Sequence, residues 1–469
     1  MSTAHLELHP ALDRARAIPF WLDQPGAPAP LPPLRGREVA DLAVVGGGYT
    51  GLWTALLAKE NGPGRDVVLV EGRKVAWAGS GRNGGFCSAS LTHGLANGLA
   101  RFPAEMPLLH RLGQANLDEI EKTVARYGID CDFSRAGELS VATAPWQAEA
   151  LAAAAGSARQ VGAELTLLDA EAVQAAVHSP TYLAGLRDQA GCATVDPARL
   201  AWGLRRACLE AGVRIYEHTP VTSVTRDGGR LLLGSPQGEV LAERVALGTG
   251  AFAPLLRRLG QRLVPVYDYV LTTEPLSAAQ LASVGWADRA GVADSGNNFH
   301  YYRLTADNRI LWGGYDAIYH FGSRIAVGLD QRPATFDLLA RHFFATFPQL
   351  EGLSFSHAWG GVIDTCTRFC AFYGTAYAGR LAYAAGYTGL GVGATRFGAR
   401  VLLDLLGGQP TELTELELVR TRPLPFPPEP LRAAGIGLTR WSLARADEQG
   451  GRRNRWLQVL DKAGLGFDS

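Results

Sequence analysis

The stretch DLAVVGGGYTGLWTALLAKENGPGRDVVLVE, residues 41–71, decides the reading of the whole chain. Asp41 to Gly47 is a short apolar, β-branched run that predicts a strand. The chain then turns at Gly46, Gly48 and Gly51, spaced as G-x-G-x-x-G. Tyr49 and Thr50 open a helix expected from Thr50 to about Asn61, and DVVLVE predicts a second strand ending at Glu71. Gly46 permits the tight turn, Gly48 lets backbone approach a pyrophosphate, and Gly51 lets helix pack on strand. The helix start offers unpaired N–H groups and partial positive charge to phosphates. Glu71, twenty residues past Gly51, is placed to accept hydrogen bonds from a ribose diol. Strand, glycines, helix, strand and acid in register predict a dinucleotide-binding βαβ unit.

Working outward, 469 residues suffice for two or three lobes and a large core. The chain is 47% hydrophobic and 19% charged, as expected of a soluble globular enzyme. Zero net charge and no long basic run argue against nucleic acid as a partner. The opening MSTAHLELHPALDRARA lacks an apolar signal core, and no uncharged run of eighteen apolar residues predicts a membrane span. The six scattered cysteines read as reduced thiols, which fits a cytoplasmic location, and no metal site is expected. Lysine occurs only at 59, 74, 122 and 462, the other basic residues being arginine.

Residues 19–36 are proline-rich and read as an extended arm on the surface, so that 1–37 precede the first domain. A glycine-rich loop, GSGRNGGF, follows Glu71. Helices are expected over about 104–127 and 145–161, with a strand ELSVAT (138–143) between them. Asp196-Pro197 predicts an N-cap and a helix through Ala211. Asp227-Gly228 predicts a hairpin turn, and RVALGTGAF (244–252) a strand returning to the nucleotide sheet. A strand-rich region from Val264 to about Phe347 contains VPVYDYVLTT, NFHYYRLT and RILWGGY. LAYAAGYTGLGVG (381–393) reads as a strand, a glycine turn and a helix start. The expected fold class is α/β (α+β): a discontinuous Rossmann-like domain from 38–100, 185–262 and 352–415, and an antiparallel-sheet substrate domain from 101–184 and 263–351. A Pro-rich and helical tail covers 416–469.

Taken together, VVGGGYTGLWTALLAKE…VVLVEG, GSGRNGG, VDPARL, VALGTGAF and GYTGLGVG resemble the flavin-dependent amine and D-amino-acid oxidase family. Glycine oxidase and sarcosine oxidase belong to it. GRNGG with the tail PFPPEPLR looks most like γ-glutamylputrescine oxidoreductases. The resemblance implies FAD rather than a nicotinamide, and three separate glycine turns suit a long, extended ligand. By resemblance, Gly46, Gly48, Tyr49, Thr50, Gly51, Glu71 and Gly72 hold the adenosine half, with Val221 and Gly250 nearby. Ser80, Arg82, Asn83, Gly84 and Gly85 contact the pyrophosphate and ribityl side. The helix opened by Gly389, Leu390 and Gly391 points its N-terminus at the flavin, where the reduced ring is anionic.

Two positions depart from the family pattern. Leu390 stands where relatives often carry histidine, and Ile363, not Cys366, matches the cysteine that links flavin in some members. Non-covalent FAD is therefore expected.

Tyr267 and Tyr269 lie two apart on an expected strand and share a face; so do His300 and Tyr302, and Tyr301 and Arg303 on the opposite face. In relatives these strands pass over the flavin, which makes Tyr267, Tyr269, His300, Tyr302 and Arg303 the candidate catalytic set. The implied reaction is oxidation of a C–N bond in a small amine: hydride passes to flavin N5, and the imine is hydrolysed to a carbonyl. Oxygen or another acceptor then takes the electrons; some relatives use a flavin-side lysine for this, and no lysine is well placed here. An amino-acid oxidase remains the nearest alternative, needing an arginine such as Arg303 or Arg368 to clamp a carboxylate. A flavin-binding redox partner without amine turnover is the alternative of another class.

Overall fold

Val44, Val45, Val67, Val68 and Val70 are β-branched and, with Leu69, almost wholly buried, as strands covered on both faces require. In the computed structural model, which describes residues 8–252 and 254–466, they lie at the centre of the first of two large sheets. Strand Gly36–Val45 pairs in parallel with Val67–Val70 on one side and Gly238–Leu247 on the other. Arg214–Tyr216 extends the sheet beyond Val67–Val70, and Leu381–Ala385 extends it beyond Gly238–Leu247. Both additions are parallel. The hairpin Ser223–Asp227/Arg230–Gly234 and strand Phe372–Ala376 complete the sheet with antiparallel pairings.

Helices Tyr49–Asn61, Pro197–Glu210 and Gly391–Gly407 pack together on one face of this sheet. Ten consecutive residues of the first, Tyr49 to Ala58, are buried, so this helix is enclosed all round rather than amphipathic. Asp196 caps the second: its carboxylate accepts from Arg199 N at 2.9 Å.

The second sheet is largely antiparallel. Val264–Thr273, Ile310–Gly314, His300–Leu304 and Gly291–Asp294 follow one another across it. Glu138–Ala142 joins Gly291–Asp294 in the one parallel pairing, and Ala184–Asp188 and Leu165–Leu168 follow. Helix Pro333–Thr346 lies against one face, with Phe336, Phe343 and Phe344 buried among the sheet's aromatic side chains. The chain is thus mixed α/β, with a parallel-core sheet and a largely antiparallel one.

Two segments differ from expectation. Phe355–Thr365, expected with the nucleotide domain, runs antiparallel along the whole of Val264–Thr273 in the second sheet. Only its C-terminal end returns toward the first, where Asp364 meets Gly386. The proline-rich arm is not merely a surface feature: Trp21 is buried and its indole N–H donates to Asn83 O at 2.9 Å. Residues 1–7 of the arm and 467–469 of the tail lie outside the described residues. The tail runs back over the molecule. Helix Leu431–Glu448 reaches the second sheet through an Arg440–Asp316 ion pair at 3.2 Å and an Asp447 carboxylate that accepts from Asn297 N and Asn298 N. No helix among the described residues is long and apolar enough to cross a membrane.

Candidate active site

Three glycine turns face one cavity of about 2810 Å³ between the sheets. The first is held by contacts that admit no side chain. Gly46 has φ +109°, and a Cβ there would lie 2.4 Å from Gly248 O. A Cβ on Gly51 would lie 1.8 Å from Gly46 O, so strand end and helix start touch backbone to backbone. Gly48 precedes the helix. Ser80 Oγ accepts from Tyr49 N at 3.0 Å and ties the second loop to this turn. Glu71 accepts from Gly47 N at 2.6 Å and Arg73 N at 2.8 Å. Burial raises its carboxyl above the ordinary range, opposed by those N–H donors. Gly72, Val221 and Gly250 line the same end of the cavity. The side chain of Tyr49 is packing, its hydroxyl donating to Pro197 O at 2.7 Å. That of Thr50 lies against Gly248, close enough to exclude a Cβ there.

The second turn, Gly79–Gly85, is clamped by two indoles: Trp21 donates to Asn83 O, and Trp359 to Arg82 O at 2.9 Å. Arg82 lines the cavity, and its guanidinium donates from Nε to Trp77 O and from Nη1 to Gly360 O and Asp330. Asn83 folds back to Gly79 O and Gly85 N. These two side chains shape the loop and leave its backbone toward the cavity. Gly84 packs under the Tyr301 ring, and Gly85 (φ +77°) lies where a Cβ would strike Val195 O and Arg303.

The third turn runs from Gly386 through Leu390 into helix Gly391–Gly407. Asp364 anchors it, its Oδ2 accepting from Gly386 N at 2.6 Å while burial pushes its carboxyl up to about 6. A Cβ on Gly389 or Gly391 would meet nothing within 4 Å, so both are open toward the cavity. Leu390 lines it too, at the helix start. A long ligand carrying a pyrophosphate, a ribose diol and a ring that becomes anionic fits these three turns together.

The expected substrate residues do not all reach the cavity. Tyr267 lines the cavity. Tyr269 does not: it is fully buried against Phe336, and its hydroxyl donates to Leu329 O at 2.8 Å. His300 is held between Asp294 Oδ2 at 2.6 Å and His342 Nδ1 at 3.0 Å, with its ring against Trp312 and Tyr315. Tyr302 shares a 2.6 Å hydrogen bond with the hydroxyl of Tyr182 inside the aromatic core. Arg303 donates to Val195 O at 2.6 Å and Gly85 O at 3.2 Å, with Trp21 over its guanidinium. Burial pushes it down to about 10, so it stays protonated at neutral pH. Arg368 donates to Leu418 O and Thr421 O. Of these, Tyr269, His300, Tyr302, Arg303 and Arg368 are structural and do not border the cavity. The helix Pro333–Thr346 explains the first three: it covers the sheet face to which they point.

The family model for FAD-dependent oxidoreductases, DAO, matches residues 41–405. The chain belongs to the DAO family of FAD-dependent oxidoreductases. It is 33% identical over 391 residues to γ-glutamylputrescine oxidoreductase of Escherichia coli K12, covering 81% of this chain and 86% of that one. It is 26% identical to the probable oxidoreductase OrdL of Haemophilus influenzae, over 85% of this chain and 90% of that one. In fold it is similar to glycine oxidase from Bacillus cereus, with a TM-score of 0.67 at 18% identity over 82% of this chain and 99% of that one.

For a DAO enzyme the informative residues are those the strand pattern left out. Asp268 and Tyr301 face the cavity, joined by a 2.5 Å hydrogen bond from the tyrosine hydroxyl to Asp268 Oδ2. His93, in αL conformation (φ +59°), also lines it, with its ring hydrogen-bonded to the backbone of Thr388 beside the third turn. Burial lowers the pKa of this imidazole, which favours its neutral form. Period-two parity links Asp268 with Val266 and Val270, and sets it opposite Tyr267 and Tyr269. That an acid interrupts an otherwise apolar and aromatic strand was the available signal.

Proposed function

We propose that the enzyme oxidises the C–N bond of a small primary or secondary amine, of the γ-glutamylputrescine type, giving an imine that water hydrolyses to a carbonyl. The observation that carries this reading is the placement of the arginines. Arg303 and Arg368, the candidates for gripping an amino-acid carboxylate, hold backbone carbonyls away from the cavity. Of the arginines that do reach it, Arg82, Arg440 and Arg453 are paired with Asp330, Asp316 and Asp461, Arg432 donates to Pro427 O and Ser323 Oγ, and Arg73 lies over the Trp77 ring. The wall near the second turn presents Asp268, Tyr267 and Tyr301 instead, a surface suited to a cation on an aliphatic stem. The name of the E. coli relative supports the same substrate class.

FAD, once bound, supplies the electron-pair acceptor. The protein's part is to hold the amine, exclude water and leave the nitrogen lone pair free. The FAD is bound non-covalently, a reading supported by Ile363 in the cavity wall and by Cys366, buried with its thiol toward Cys370 O. Flavin that stays with the acid-precipitated protein would overturn this. No lysine lines the cavity among the described residues, so either an arginine or histidine supplies the positive charge for reaction with oxygen or another acceptor takes the electrons, which reoxidation of the reduced enzyme by air decides. Anaerobic bleaching of the flavin near 450 nm by putrescine derivatives, and not by D-amino acids, glycine or sarcosine, is the expected result. Bleaching by the amino acids alone would sink the amine reading.

A further inference from the structure

We infer that Asp268, oriented by Tyr301, is the group that receives the substrate's ammonium and takes its proton; this rests on the amine reading above.

The argument begins with pairing. Asp268 lies deep in the molecule yet open to the cavity, and no cation pairs with it among the described residues. The neighbouring cavity carboxylates are answered. Asp294 has His300, Asp316 has Arg332 and Arg440, and Asp330 has Arg82. Asp364 and Glu71 are engaged by the N–H groups of the glycine turns. Glu138, also at the cavity, stands four strands away across the sheet, or about 19 Å at ordinary strand spacing.

Asp268 is nonetheless firmly aimed. Its Oδ2 accepts from the Tyr301 hydroxyl and its Oδ1 from Tyr269 N at 2.8 Å, with a further backbone bond from Gly314. These donors orient a carboxylate without neutralising it. Its place is also set relative to the cofactor turns. In strand register it lies opposite Gly361, next to Gly360, whose carbonyl Arg82 holds from the second loop. Tyr301 packs on Gly84 of that loop. An ammonium reaching Asp268 therefore sits beside the loop that faces the ligand.

The step is a proton transfer. One N–H bond of R–NH₃⁺ breaks, an O–H bond forms on Asp268, and both charges disappear. The nitrogen keeps the electron pair, which is the form able to stabilise a developing iminium. Burial, opposed by the Tyr301, Tyr269 and Gly314 donors and assisted by the nearby Asp316 charge, brings Asp268 up to about 6. That makes it a better base than a surface carboxylate, while it remains largely ionised at neutral pH. From the paired strand the facing residue is a glycine, and the Arg82 charge on the loop side is offset by Asp330.

The test uses the FAD-loaded enzyme and tert-butylamine, whose carbon bears no hydrogen and which is therefore not oxidised. Pivalate and tert-butanol are the anionic and neutral shapes of the same size. Binding is read from the change in the flavin spectrum and from calorimetry. In the wild type, the amine should bind more tightly than either control, and its affinity should fall as pH drops through Asp268's titration. Asp268→Asn should weaken amine binding by about tenfold or more, the scale of a lost charge-assisted contact. Tyr301→Phe removes a donor to the carboxylate, so the acid limb of binding should move to higher pH. Unchanged affinity in Asp268→Asn, or an unmoved limb in Tyr301→Phe, overturns the assignment. If Asp268→Asn does not retain flavin, the limb shift in Tyr301→Phe decides it. The amine reading stands or falls separately, on wild-type bleaching by the amine panel. Bleaching with unaltered binding in the variants overturns Asp268 alone.

Discussion

Gly46 O lies 1.8 Å from the point where a Cβ on Gly51 would stand. The close packing of first strand on first helix depends on that missing atom, and so does the line of the helix N-terminus toward the pyrophosphate site. Gly51→Ala must push the helix away from the turn. Overpacking of this kind costs about 1–3 kcal/mol. The variant is expected to melt lower and to be purified with much less flavin, read from the ratio of absorbance near 450 nm to that at 280 nm. Full flavin content with unchanged melting would show that the contact relaxes at no cost.

Arg303 distinguishes a structural arginine from a substrate clamp. Its guanidinium satisfies Val195 O and Gly85 O in a buried site. Arg303→Met leaves Val195 O without its donor while Gly85 O keeps Val195 N, costing about 1–3 kcal/mol. Relative kcat/KM for amines with and without a carboxylate should stay the same. A selective loss on carboxylate-bearing substrates would return Arg303 to the binding site.

His300 is enclosed by Asp294, His342, Trp312 and Tyr315. Burial and the neighbouring His300 hold His342 down to about 4, so at neutral pH it is neutral. His300→Gln is expected to lower the melting temperature and leave the pH dependence of kcat/KM unmoved. A shifted profile would mean that the imidazole reaches the reacting amine.

Glu138 offers a stability test away from the proposed amine site. Desolvation, with the Asp188 charge beside it, raises its carboxyl to about 7, above its ordinary 4.5. The folded state therefore binds more protons than the unfolded between those values, and stability is lost as pH rises through that window. Because the side chain is partly accessible from the cavity, the effect is taken as about 1–3 kcal/mol. Glu138→Gln should leave the apoprotein unchanged near pH 4 and stabilise it at pH 8, measured by denaturant melts at both. Equal effects at the two pH values would rule out this ionisation as the cause.

The sequence by itself determined the nucleotide-binding unit. The cause is largely local: β-branched runs make buried strands, and Gly51 answers a steric demand made by Gly46 five residues earlier, although the demand on Gly46 itself comes from distant Gly248. It also determined which strand residues travel together, because side chains alternate with a period of two. Only the tertiary structure decided which members of each set meet the cavity: Tyr267 but not Tyr269, and Tyr301 but not Arg303. The helix Pro333–Thr346, some thirty residues beyond His300 and Tyr302, covers their face with phenylalanines and turns Asp268 and Tyr301 toward the ligand. The same holds for Arg303, whose acceptors at Gly85 and Val195 are more than a hundred residues away, and for Phe355–Thr365, whose partner strand no local pattern names. Parity is a property of the backbone; the face that stays open depends on what else packs against the sheet.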